Sequence, residues 1–128
     1  MNITNQLLNE NKKILLSSVS GEGIAEELLR SVCKGSGAPA VFSPITEKEI
    51  ARAEGVLGQS LEDGFDKYLV FVSEKAVEIY YSSEISKLYA AHKLVDLYDE
   101  GFPAGVIYAR AICEVRGYKC YQIGRAHV

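Results

Sequence analysis

The chain has 128 residues, 48% hydrophobic and 24% charged, a balance that suits one globular domain with a sizeable core. Its net charge of −3 excludes a polyanion-binding surface, and the nearest basic cluster, Arg110, Arg116 and Lys119, is thinly spread. No run approaches the roughly 20 apolar residues of a membrane helix, and the polar, Asn-rich residues 1–13 lack the apolar centre of a signal peptide, so a cytoplasmic location is expected.

In chain order, residues 12–19 form a short apolar run that reads as a first strand. After Ser20-Gly21-Glu22-Gly23, the residues Ile24, Leu28, Leu29, Val32 and Cys33 fall on one stripe of a helix that Gly35 and Gly37 can end. Residues 40–45 read as a second strand, and residues 47–54 as a short polar helix broken by Gly55 and Gly58. Residues 69–72 and 76–81 are β-prone runs joined by Ser73-Glu74-Lys75, which predicts a hairpin. Ser82 or Ser83 caps a following helix whose buried stripe is expected to be Ile85, Leu88, Ala91, Leu94, Val95 and Tyr98, with Gly101 ending it. Residues 105–108 and 113–121 then read as two more strands. The order implies an α+β fold, an α/β sandwich with a single mixed or antiparallel sheet and helices on one face.

Few residues carry chemistry. Cys33, Cys113 and Cys120 are odd in number and unrelated in spacing, which fits reduced, idle thiols. No Cys-x-x-Cys pair exists and His92 stands alone before residue 123, so neither a metal nor a cofactor is expected. Three acidic doublets, Glu26-Glu27, Glu62-Asp63 and Asp99-Glu100, read as solvated surface charge, and His92 as a packed or flanking helix residue. One of Tyr80 and Tyr81 must face the core by strand alternation.

Four segments occur in a telling order: Tyr68-Leu69-Val70-Phe71-Val72 with Val77-Glu78-Ile79, the helical stretch 87–97, Phe102-Pro103-Ala104-Gly105-Val106-Ile107, and Val115-Arg116-Gly117-Tyr118. Together they resemble the family 20 glycoside hydrolases, the β-N-acetylhexosaminidases, in which a small α+β domain precedes a (β/α)8 barrel. The chain departs from that pattern at Lys93, usually Thr, at Ala109-Arg110-Ala111, usually Asp-x-Pro, and at Val115, usually aromatic. The resemblance implies an accessory domain over residues 1–109 and a linker with the first barrel strand over 110–122. It implies a parent that removes terminal N-acetylhexosamine by substrate assistance, using an Asp-Glu pair on the fourth barrel strand. On this reading the chain lacks that pair and is inactive alone. Arg116 matches the arginine that binds hydroxyls of the terminal sugar, so the expected partner is an N-acetylhexosaminide carbohydrate in the intact parent.

Residues 123–128 (IGRAHV) match the translation of a sequencing adapter, ATC GGA AGA GCA CAC GTC, and the native sequence is expected to end near Tyr121. The strand 113–121 would then lack its barrel neighbours and invite self-association. The alternative reading is a stand-alone α+β binding or interaction module, since likeness of architecture does not fix function. A thiol enzyme using Cys33 or Cys120 lacks any paired base.

Overall fold

The computed structural model describes the backbone of residues 4–115 and 118–121, and the side chains of residues 13–111. The elements run β1 (Thr4–Ile14), β2 (Leu16–Val19), α1 (Ile24–Arg30), β3 (Ala38–Pro44), α2 (Glu47–Leu57), β4 (Phe65–Val72), β5 (Val77–Tyr81), α3 (Glu84–Leu97), β6 (Phe102–Val115) and β7 (Tyr118–Tyr121). The fold is α+β with one mixed sheet, ordered β1-β6-β4-β5-β3-β2, and β7 pairs with the far end of β6. β2, β3 and β5 are mutually parallel, while β5, β4, β6 and β1 alternate in direction. The expected hairpin is present: β4 and β5 pair antiparallel from Tyr68↔Tyr81 to Val72↔Val77.

The sheet is covered on both faces, which corrects the expectation of helices on one. Tyr68, Val70 and Val72 of β4 join Leu29 of α1 and Ala90 and Leu94 of α3 in one core. Leu69 and Phe71, pointing the other way, join Ala53 of α2 with Val106 and Tyr108 of β6 in a second. Each residue of a strand alternates sides, so an unbroken apolar run such as 68–72 is what burial on both faces requires. The hydroxyl of Tyr108 is satisfied within that second layer, donating to the Glu62 carbonyl at 2.7 Å.

Local chemistry sets the helix ends. Thr46 caps α2, with the Glu49 carboxylate reaching back to the Thr46 N–H at 2.7 Å, and Gly58 closes the helix in the left-handed conformation. Gly55 does not break it. In α3 the hydroxyl of fully buried Ser86 accepts from the N–H groups of Ser82 and Ser83 at 3.1 and 3.0 Å. The face that α3 buries is Ser86, Ala90, Ala91 and Leu94, rather than the stripe expected through Ile85 and Leu88. Ile85 is exposed and Leu88 only half-buried, because that flank of α3 opens onto a cleft beside α1. Val95 and Tyr98 do pack against the core, as expected, and Tyr98 meets Phe102 edge-on at 5.0 Å.

The single strand expected over residues 12–19 is divided. β1 ends at Ile14 beside Phe102 of β6, and β2 begins at Leu16 beside Ala38 of β3. Those partners belong to opposite ends of the strand order. A flat sheet of six strands would hold its edges roughly 24 Å apart, whereas two Cα–Cα steps cover about 7.6 Å at most. The sheet therefore curls, and Leu15 carries the chain between its edges past the β4–β5 turn, where Glu74 lines the same crevice. The backbones touch closely: a Cβ on Gly37 (φ +123°) would lie 2.2 Å from the Leu15 carbonyl oxygen.

β6 likewise differs from expectation. It runs without a break from Phe102 to Val115 across the boundary expected at residue 109, so residues 110 and 111 are strand rather than linker. Ala111 pairs with Phe65 of β4, and Arg110 is buried with its guanidinium 2.5 Å from Glu62. Residues 113–121 are not one strand, because β7 returns antiparallel to β6 with Val115 opposite Tyr118. Arg116 and the expected read-through 123–128 lie outside the described residues, as do the side chains of Cys113 and Cys120.

Candidate functional site

Two of the three acidic doublets sit on the surface as expected. Asp63 is exposed and pairs with Lys67 at 2.6 Å, which holds its carboxyl below the usual range. Glu62 reaches Arg110 from an exposed position, and Asp99 and Glu100 are exposed in the turn after α3. The first doublet corrects the expectation. Glu27 is exposed and pairs with Arg30, but the side chain of Glu26 is only 5% exposed.

Glu26 meets Lys87 of α3, with Oε2 2.7 Å from Nζ, and Lys87 is itself 14% exposed. The Lys87 ammonium also lies 5.1 Å from the Tyr81 ring centre and 5.5 Å from that of Phe42, within cation–π range. The hydrogen bond to Glu26 is the main cause that raises the Lys87 pKa above its ordinary 10.5, outweighing the opposing effect of burial. An amine held protonated in this way cannot serve as a nucleophile or a general base. Its role is to neutralise Glu26 and to tie α1 to α3.

Two glycines make room for the carboxylate. A Cβ on Gly23 (φ +149°) would lie 2.6 Å from Glu26 Oε1, and one on Gly21 (φ +93°) 3.4 Å from Oε2. Arg30 fastens the same loop by donating to the carbonyls of Val19 and Gly21 at 2.9 and 2.6 Å. Glu26 Oε1 is buried and has no hydrogen-bond partner among the described residues. The pair forms one wall of a cleft of about 450 Å³ between the start of α1 and the first turn of α3, lined also by Glu22, Ile24, Glu84, Ile85 and Leu88.

The other candidates disperse. His92 is exposed on α3. Tyr80 and Tyr81 are both half-buried and both engaged: the Tyr80 hydroxyl donates to Glu78 Oε1 at 2.7 Å, and Tyr81 flanks Lys87. Arg52 of α2 completes the Tyr80 group, gripping Glu78 at 2.9 and 3.2 Å while lying 3.9 Å over the Phe71 ring. Loss of water around the hydroxyl, then the bond to Glu78, pushes the Tyr80 pKa up to about 12. Cys33 is a free thiol packed at the core margin, and burial raises its pKa, the reverse of what a reactive thiolate needs. Among the described residues no three His, Cys, Asp or Glu side chains converge as metal ligands, and no helix is long and apolar enough to cross a membrane.

Sequence reasoning passed over Glu26 and Lys87. The available signal was Gly21 and Gly23 bracketing Glu22 just before α1, a spacing that admits close backbone approach without naming what approaches. Compared with protein families, with curated proteins and with solved structures, the chain matches none.

Proposed function

We propose that this chain is the non-catalytic α+β accessory portion of a β-N-acetylhexosaminidase-like glycoside hydrolase. One observation supports the reading above the others: three of the four segments that carry the resemblance fall on the kinds of element its pattern calls for. The Tyr68 to Val72 and Val77 to Ile79 motifs lie on the β4–β5 hairpin, residues 87–97 lie on α3, and residues 102–107 open β6. The carbohydrate substrate then belongs to the barrel of the parent, with Arg116 as its contact from this chain. A cytoplasmic location is part of the same proposal. The buried Glu26–Lys87 pair serves here as a brace between helices. It is no substitute for a catalytic carboxylate pair, since one member is an amine, held protonated by the other.

The test is to read the source gene through the codon for Tyr121 and to assay both products. A frame continuing into a barrel with an Asp-Glu doublet, active on chromogenic N-acetylglucosaminides and weakened by Arg116→Ala, supports the proposal. A native stop codon near residue 121, or turnover by the 128-residue chain alone, overturns it and leaves the stand-alone module.

A further inference from the structure

At the start of β4 the sheet carries an irregularity that leaves one ring in the open. Phe65 pairs with Ala111 of β6 and Tyr68 with Ala109, so three steps on β4 oppose two on β6, a β-bulge. Between them lies Asp66, whose φ of +46° is in the left-handed region that glycine, Asn and Asp enter most readily. Side chains hold the bulge on its far side. Ser83 Oγ donates to Asp66 Oδ1 at 2.6 Å, and the Lys67 N–H donates to Ser82 Oγ at 2.7 Å. On its near side a Cβ on Gly64 would lie 2.5 Å from the Ala111 carbonyl oxygen and 2.9 Å from Arg110 Cδ, so the chain enters β4 pressed against β6. Phe65 stands between these two fastenings and is 49% exposed, the largest wholly apolar side chain on the surface among the described residues. The charges that flank it in the chain are already matched, Glu62 with Arg110 and Asp63 with Lys67.

We propose that Phe65 is the anchor on which the domain that follows in the parent chain seats, its ring entering an apolar pocket of that domain. The inference rests on the accessory-domain reading above and adds the surface through which the two parts meet. Its ground is where the chain leads. Ala111 of β6 pairs with Phe65 on one side and with Tyr121 of β7 on the other. Neighbouring strands lie about 4.8 Å apart, so Tyr121 is roughly 10 Å from Phe65, two strands away in the same row. In the parent, chain that continues past Tyr121 is therefore tethered beside this ring at a high effective concentration. A second copy of the protein has no such tether. A ring on a fixed backbone loses little freedom on docking, and an aromatic inside a polar, charge-matched rim is the common anatomy of an interface centre.

The experiment uses the parent expressed from the source gene read past the codon for Tyr121, alongside the 128-residue chain. With the photo-crosslinker p-benzoylphenylalanine at position 65, irradiation of the parent is expected to join that position to a peptide C-terminal to residue 121, located by mass spectrometry. Phe65→Ser is expected to lower the urea midpoint of the 128-residue chain only slightly, because about half of the ring is already in water. The same variant is expected to make the parent several-fold more sensitive to limited proteolysis near residue 121, as the two parts separate. Cross-links confined to residues 1–121, cross-links between two copies of the protein, or a parent whose cleavage rate is unmoved by Phe65→Ser overturn the anchor. The two readings fail separately. Cross-links into a downstream domain that is no glycosidase barrel uphold the anchor and sink the glycosidase reading, and a barrel with the Asp-Glu doublet that never cross-links to position 65 does the reverse. A native stop codon near residue 121 overturns both.

Discussion

Replacing Lys87 by Met keeps most of the side-chain stem between α1 and α3 and removes the charge that faces Glu26. The Glu26 carboxylate, 5% exposed, then has neither oxygen satisfied, since Oε1 already lacks a partner. Stranding one member of a buried ion pair costs about 3–5 kcal/mol. The 14% exposure of Lys87 places this pair toward the lower end, because some solvent reaches the ammonium. A loss of about 3 kcal/mol corresponds to a fall of roughly 10 °C in Tm for a domain of this size. Glu26→Leu is expected to cost less, because a lysine at the rim of a cleft can turn its head to water. The double variant Glu26→Leu/Lys87→Met is expected to recover much of the stability lost in Lys87→Met, since an apolar pair replaces the ions without desolvated charge. Urea denaturation of the four proteins measures the coupling directly. The pH dependence gives an independent reading: the raised Lys87 pKa means that its stabilisation is complete below about 10.5 and is lost only as the pH climbs through the raised value. A Lys87→Met cost below about 0.5 kcal/mol, typical of surface changes, or a double variant no more stable than Lys87→Met, would refute the buried brace.

The crossing at Leu15 is tested by comparing two glycines of one loop: Gly37→Ala is expected to cost roughly 2–4 kcal/mol, from strain at φ +123° and collision with the Leu15 carbonyl, in urea titrations. Gly35→Ala, also at positive φ but with nothing within 4 Å, is expected to cost only about 1 kcal/mol. Ser86→Ala removes the acceptor of two N–H groups at the entry of α3 and is expected to cost about 1–3 kcal/mol, read from the same titration. Cys33 is expected to react with a thiol-directed alkylating reagent more slowly in the folded chain than in urea at pH 8, because burial disfavours its thiolate. Equal rates would place it in water.

Periodicity by itself determined much of the frame. The alternation in residues 77–81 and the three-residue spacer before them placed the β4–β5 hairpin, and the Ser83 cap with the apolar spacing after it placed α3. These are interactions between near neighbours, so their pattern is written along a single stretch of chain. Pattern alone did not assign β1, whose Asn-rich residues carry no apolar period and which is a strand because β6 offers it an edge. It read α2 as a polar helix, and only the second layer shows that Ile50, Ala53 and Leu57 give it a side that closes on the sheet. The same limit governs the site. An acidic doublet at the start of a short helix reads as solvated charge, and only the packing of α1 against α3, which brings Lys87 to within 2.7 Å of Glu26, makes one of the two acids a buried group. Local period states which side of an element is hidden; what it is hidden against is decided by contacts between distant parts of the chain, and the cost or benefit of a buried charge depends wholly on that partner.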